Sequence, residues 1–200
     1  MHPHRKRYWL TPPPNDPADL AQQNCTVCEI YETTPALAAA GAHVTSTDEM
    51  TGIQAVERLH PSLPMLPGHV ERQECDYRRH GTQCLIANVD VATGQSIAPN
   101  VGPTRTEADF AAHIVQTMQP DLEAAWILVT AQLNTHQSEA LVHLVASQCG
   151  IQEDLGITGK SGHLANMSTR AAFLCDPSHR IRARLHAPST AHGSLRLRSG

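Results

Sequence analysis

WILVTAQLNTHQS, Trp126 to Ser138, is a short apolar run that turns abruptly polar. Four apolar residues and a β-branched threonine lead to Ala131, and a run this short, bounded by polar residues, reads as a strand buried on both faces. Beyond the polar loop a helix is expected from about 138 to 149, with Leu141, Leu144 and Val145 inward and Gly150 as its stop. In sheets covered by helices, reactive side chains gather where a strand end meets solvent. The residue in that place here is Ala131.

Working outward, Thr104 and Glu107 after Pro103 form a capping-box pattern, and Phe110, Ala111, Ile114, Val115 and Met118 share one helical face. A helix from about 105 to 118 is expected. In TQCLIANVDVATGQSIAPNV (82 to 101) Leu85, Ala87, Val89 and Val91 alternate with more polar neighbours, and Ala92-Thr93-Gly94 supplies a turn, so the stretch predicts a β-hairpin. HVTSTD (43 to 48) reads as a strand with Val44, Ser46 and Asp48 on one face, Asp48 at its end and Glu49 turned to the other side. HPSLPMLPG (60 to 68), with Pro61, Pro64 and Pro67, suits a loop. Residues 18 to 32 read as a helix behind an extended, basic, proline-rich linker over 1 to 17. The order of elements predicts an α/β fold with a mixed sheet and flanking helices.

Composition narrows the classes. With 40% apolar and only 4% aromatic residues, the core must be built from Ala, Val, Leu and Ile. No window approaches the roughly 20 apolar residues of a membrane span, and MHPHRKRYWLTPPP lacks the apolar segment of a signal peptide, so no membrane partner and a cytoplasmic location are expected. The net charge of -4 excludes a uniformly basic nucleic-acid binder. Basic residues cluster at the ends, with Arg5, Lys6 and Arg7 at one and Arg180, Arg182, Arg184, Arg196 and Arg198 at the other. Cys25 and Cys28 form a lone CxxC with no second pair, which favours buried or half-buried thiols on the first helix over a metal centre.

Several segments in order carry a resemblance: STDEMTGIQAVER (46 to 58), RRHGTQCLIANVDVATGQ (78 to 95), GPTRTEADFAAHI (102 to 114) and QLNTHQSEALV (132 to 142). Together they resemble the insertion-sequence transposases of the mariner-like DDE superfamily, over roughly residues 5 to 182. The resemblance implies a ribonuclease H-like domain in which three carboxylates hold two Mg²⁺ ions, or Mn²⁺ in their place, for in-line phosphoryl displacement on DNA. Hard dications need several anionic oxygens between them, so one carboxylate is not enough.

Asp48 matches the first acidic position. The second comes directly before QLNTH and is Ala131 here, a methyl group with no lone pair; Asn134 and His136 remain as neutral candidates for contact with DNA or water. The resemblance puts the third carboxylate on a helix after the last strand, in a His-Cys-Ser-Trp-Leu-Asn-Gln-Val-Glu-like stretch. Permissible codons for Ser189 to Ser194, read two bases on, give His-Cys-Ser-Trp-Leu, and on that codon degeneracy a frameshift near Ala183 is expected. HRKRYWL resembles the linker that follows the family's helix-turn-helix DNA-reading modules, which are expected to be missing here.

These readings predict a linker over 1–17, an incomplete ribonuclease H-like transposase domain over 18–182, truncated before the last catalytic helix, and an arginine-rich, frameshifted, disordered tail over 183–200. The expected protein is a transposase by descent, with metal binding weak or lost. Its partners would be transposon-end DNA, a second copy, or an intact transposase. A non-enzymatic inhibitor that binds DNA or transposase is the alternative, and a small zinc protein using Cys25 and Cys28 a lesser one.

Overall fold

The computed structural model describes residues 16–186 apart from 74 and 132. Helix α1 (Pro17–Ala39) precedes strands β1 (Ala42–Arg58), β2 (Tyr77–Asp90) and β3 (Ser96–Gly102). Helix α2 (Glu107–Met118), strand β4 (Ala125–Ala131) and helix α3 (Glu139–Cys149) follow. A small ribbon, β5 (Gly156–Ile157) and β6 (Ser161–Gly162), leads to helix α4 (Met167–Leu174) and strand β7 (Ile181–His186). The sheet runs β3-β2-β1-β4-β7; β2 is antiparallel to both β1 and β3, while β1, β4 and β7 run parallel. This is the mixed, ribonuclease H-like arrangement the sequence predicts.

Alternation along β4 divides the interior. Trp126 and Leu128 join Phe110, Ile114 and Met118 of α2, Leu141 and Val145 of α3, and Phe173 and Leu174 of α4 in the larger core. Ile127 and Val129 turn to the opposite face with Val44, where Val27, Ile30 and Leu37 of α1 and Val91 after β2 pack against them. One face of the sheet is therefore thickly packed and the other thinly.

Several expectations are corrected. Strand β1 does not end at Asp48: it continues to Arg58, and beyond the pairing with β4 it stays paired with β2 in an arm with two register shifts. The proline-rich stretch 60 to 68 lies at the tip of that arm, where bridges join Leu63 to Arg72 and Leu66 to His69. Helix α1 runs through Pro35 to Ala39, because Val27, Ile30 and Leu37 keep one helical face seated on the sheet across the proline. Cys25 and Cys28 are exposed on α1, not buried, since that helix turns its other side to the sheet.

Helix α2 is capped two residues later than expected. Thr106 takes the Asp109 N–H, and the Asp109 carboxylate takes the Thr106 N–H at 2.7 Å, so the reciprocal pair is Thr106–Asp109. Thr104 donates to the same carboxylate at 2.8 Å and serves as a second anchor. Strand β7 pairs with β4 up to Ala131↔His186, with Ile181 and Ala183 buried, so 183–186 belongs to the sheet, not to a disordered tail. The physical reason is alternation: Ile181 and Ala183 fill the larger core while Arg182 and Arg184 point away from it. Residues 187–200, which would carry the frameshifted segment, and 1–15 of the linker lie outside the described residues.

Candidate active site

Strands β1 and β4 run side by side from Ala42↔Ala125 to Thr47↔Thr130. One step further out are Asp48 and Ala131, adjacent on neighbouring strands and, by alternation, on the face that carries Val44, Val129 and α1. This is the carboxyl edge of two parallel strands, where the resemblance implies a pair of acidic ligands. Asp48 is exposed there, and its Oδ1 accepts the Glu49 N–H at 2.8 Å. Beside it stands the methyl group of Ala131.

A magnesium pair does not fit what is described. No group of three or more His, Cys, Asp or Glu that could hold a metal ion is found among the described residues. Asp48 has no second carboxylate across the strand gap, and the expected third position falls outside the described residues. Cys25 and Cys28 gather no such cluster either.

The reverse face of the same edge is fully built. Glu49 points away from Asp48 into a buried cluster, with its side chain only 1% exposed. Its Oε1 faces His136 Nε2 at 3.3 Å, and its Oε2 accepts from Arg105 Nη1, also at 3.3 Å. The His136 ring is fully buried and tilted against Phe110 at 4.3 Å between centroids; its Nδ1 donates to the Ala131 carbonyl at 2.8 Å, since a carbonyl can only accept. Burial pushes the Glu49 carboxyl up, but the His136 bond and charge and the Arg105 guanidinium outweigh it and hold it below the ordinary value.

His113 of α2 lies in the same buried layer. It is fully buried, and neither ring nitrogen has a hydrogen-bond partner. Burial pulls its pKa below the ordinary value, against the opposing charge of Glu49. One turn along, Thr117 takes the Asn88 amide, and Thr47 donates to the same Asn88 side chain, which ties α2 to β1 and β2.

Of the residues singled out from the sequence, Asp48 and Ala131 come together at one edge, and Asn134 is exposed on the loop after β4. His136 is not available to DNA or water: its ring is enclosed and both nitrogens are engaged. Sequence reading missed Glu49 as its partner, although the alternation that turned Glu49 away from Asp48 was itself the signal. Glu49 and His136 are 87 residues apart, and no local pattern joins them.

The pattern of the DDE superfamily endonucleases matches residues 43–172. No curated protein sequence matches the chain. Among solved structures, a Mos1 mariner paired-end complex with Mn is 13% identical, with 72% of this chain and 44% of that chain covered and a TM-score of 0.43. A Mos1 transposase paired-end complex with the left transposon end gives 12%, 72%, 44% and 0.44, and a mariner Mos1 paired-end complex with Mg gives 12%, 93%, 55% and 0.41. This chain thus spans about half the length of those chains. The matched pattern runs from the start of β1 into α4 and takes in both the Asp48 edge and the cluster behind it, and on that extent the chain belongs to the DDE superfamily endonucleases.

Proposed function

We propose that the chain is a mariner-like transposase domain that has lost phosphodiester cleavage. The observation that carries this is the place of Ala131: Asp48 and Ala131 each stand one residue beyond the last β1–β4 pair, Thr47↔Thr130, and of these two strand-end side chains only Asp48 can bind a cation. The ancestral activity is strand cleavage and joining at transposon ends, and each step needs anionic ligands to neutralise metal charge beside a phosphodiester. Removing one such ligand costs on the order of several kcal/mol of transition-state stabilisation, enough to reduce turnover by orders of magnitude.

The test is a nicking assay on supercoiled DNA with Mg²⁺ or Mn²⁺. Wild-type protein and Asp48→Asn should be indistinguishable from buffer. Metal-dependent nicking by the wild type that vanishes in Asp48→Asn would overturn the reading.

A second reading is supported by the arm. Val56, Leu63, Met65, Leu66 and Val70 are more than half exposed on or beyond the β1–β2 ribbon, an apolar surface suited to covering by protein. A domain that pairs with itself or with an intact transposase would act as an inhibitor. Light scattering across a concentration series, with Leu66→Ser and Val70→Ser as controls, tests it: a monomer at every concentration, alone and mixed with an active relative, removes it.

A further inference from the structure

Two segments face each other over the reverse side of β1, and one buried carboxylate holds both. Arg105, just ahead of α2, and Leu133, Asn134 and Thr135, just after β4, line an open groove of about 360 Å³. Glu49 lies beneath it, with Oε2 on Arg105 at 3.3 Å and Oε1 on His136 at 3.3 Å. His136 in turn is fixed to the Ala131 carbonyl, so the carboxylate links the segment before α2 to the turn that carries Asn134 and Thr135.

We propose that this groove binds a phosphate of a nucleic-acid strand through Arg105 and that Glu49 is the positioning residue that aims it. This rests on the reading that the domain's partner is DNA, but not on any loss of cleavage. A guanidinium presents five donors in a fixed fork; one is engaged by Glu49, and the Arg105 side chain is 46% exposed. Asn134 adds an exposed amide, and no acidic residue is among the described residues that line the groove. The adjoining cavity of about 400 Å³ is a poorer place for a phosphate: it is lined by Glu107 and Glu139, and its Arg170 already donates to the carbonyls of Gln137 and Leu164.

Charge and geometry predict opposite outcomes for Glu49. As a mere negative charge near a polyanion it opposes binding, so Glu49→Gln should tighten it; as the residue that aims Arg105 it supports binding, so the same change should weaken it. The experiment is fluorescence anisotropy of a fluorescein-labelled DNA duplex with the full chain over a salt series. Arg105→Gln should flatten the log–log salt slope by about one. Glu49→Gln should weaken binding several-fold, and Glu49→Asp, which keeps the charge but shortens the arm, should weaken it too.

Equal or tighter binding by a folded Glu49→Gln protein, checked by circular dichroism, overturns the proposal. If that variant does not fold, Arg105→Gln on the protein surface decides alone, and an unchanged salt slope overturns it. Absence of wild-type binding at low salt also overturns it, while leaving the nicking assay to judge the non-cleaving reading separately.

Discussion

Asp48 and Glu49 are consecutive residues on one strand, yet the two faces they serve are built in opposite ways. On the Asp48 face the neighbouring strand supplies Ala131, and the carboxylate stands exposed without an acidic partner. On the Glu49 face the carboxylate is enclosed and held by His136 and Arg105, with Phe110 tilted against the imidazole. The difference shows what each arrangement needs from the fold. A cation site is held together by the ion, so losing a ligand leaves the protein almost undisturbed. A buried carboxylate must be satisfied by the protein itself, and losing a partner destabilises the whole domain.

The largest test of that contrast is to place a carboxylate at position 131. Ala131→Asp should create a saturable Mn²⁺ site that the wild type lacks, read by electron paramagnetic resonance titration, and the double variant with Asp48→Asn should lose it again. Without a cation the same substitution should lower the melting temperature, because two carboxylates then face each other across adjacent strands. If Ala131→Asp gains no affinity, the two strand ends are not close enough to share an ion.

Breaking the other face comes next. His136→Ala leaves Glu49 buried with a half-exposed arginine as its remaining partner among the described residues and opens a cavity beside Phe110, so urea denaturation should show a loss of about 3 kcal/mol. Asp48→Ala, one residue from that cluster in sequence, should change stability by less than about 0.5 kcal/mol.

A pH series sharpens the comparison further. His113 has its pKa depressed below 6.5 by burial, so the unfolded chain takes up a proton more readily than the folded one. Its contribution is fully present above pH 6.5 and is lost as pH falls from 6.5 through the depressed folded value. Melting temperature should therefore begin to drop below pH 6.5, and His113→Leu should remove that part of the slope. A cap gives a modest effect: Ser138 accepts the Leu141 N–H at 3.2 Å, and Ser138→Ala should cost about 1 kcal/mol by calorimetry.

Much of the sheet was legible because its signals are local. The run from Trp126 to Val129 is apolar on both faces and lies inside the sheet between β1 and β7, and the alternation in Leu85 to Val91 sits in the expected hairpin, with Gly94 at φ 70° in its turn. The arm was not legible. From Gly52 to Arg58 and from Tyr77 to Gln83 both faces are largely solvated, so no periodicity marks them as strands; only their pairing with each other does. Thr104 and Thr106 both stand in a capping spacing, at three residues from Glu107 and Asp109, and the helix packing of Phe110 and Ile114 chose between them.

Binary pattern and turn chemistry in the amino-acid sequence alone determined that this chain folds as a helix-covered mixed sheet, and that an alanine occupies the end of its fourth strand, where the resemblance implies an acid. Tertiary structure alone decided that His136 is an internal strut, that Glu49 is its counterpart, and that β7 reaches His186. The physical reason is range: alternation and capping are set by neighbours a few residues apart, whereas burial of a charge is settled only when Phe110, His136 and Arg105 arrive around Glu49 from separate elements.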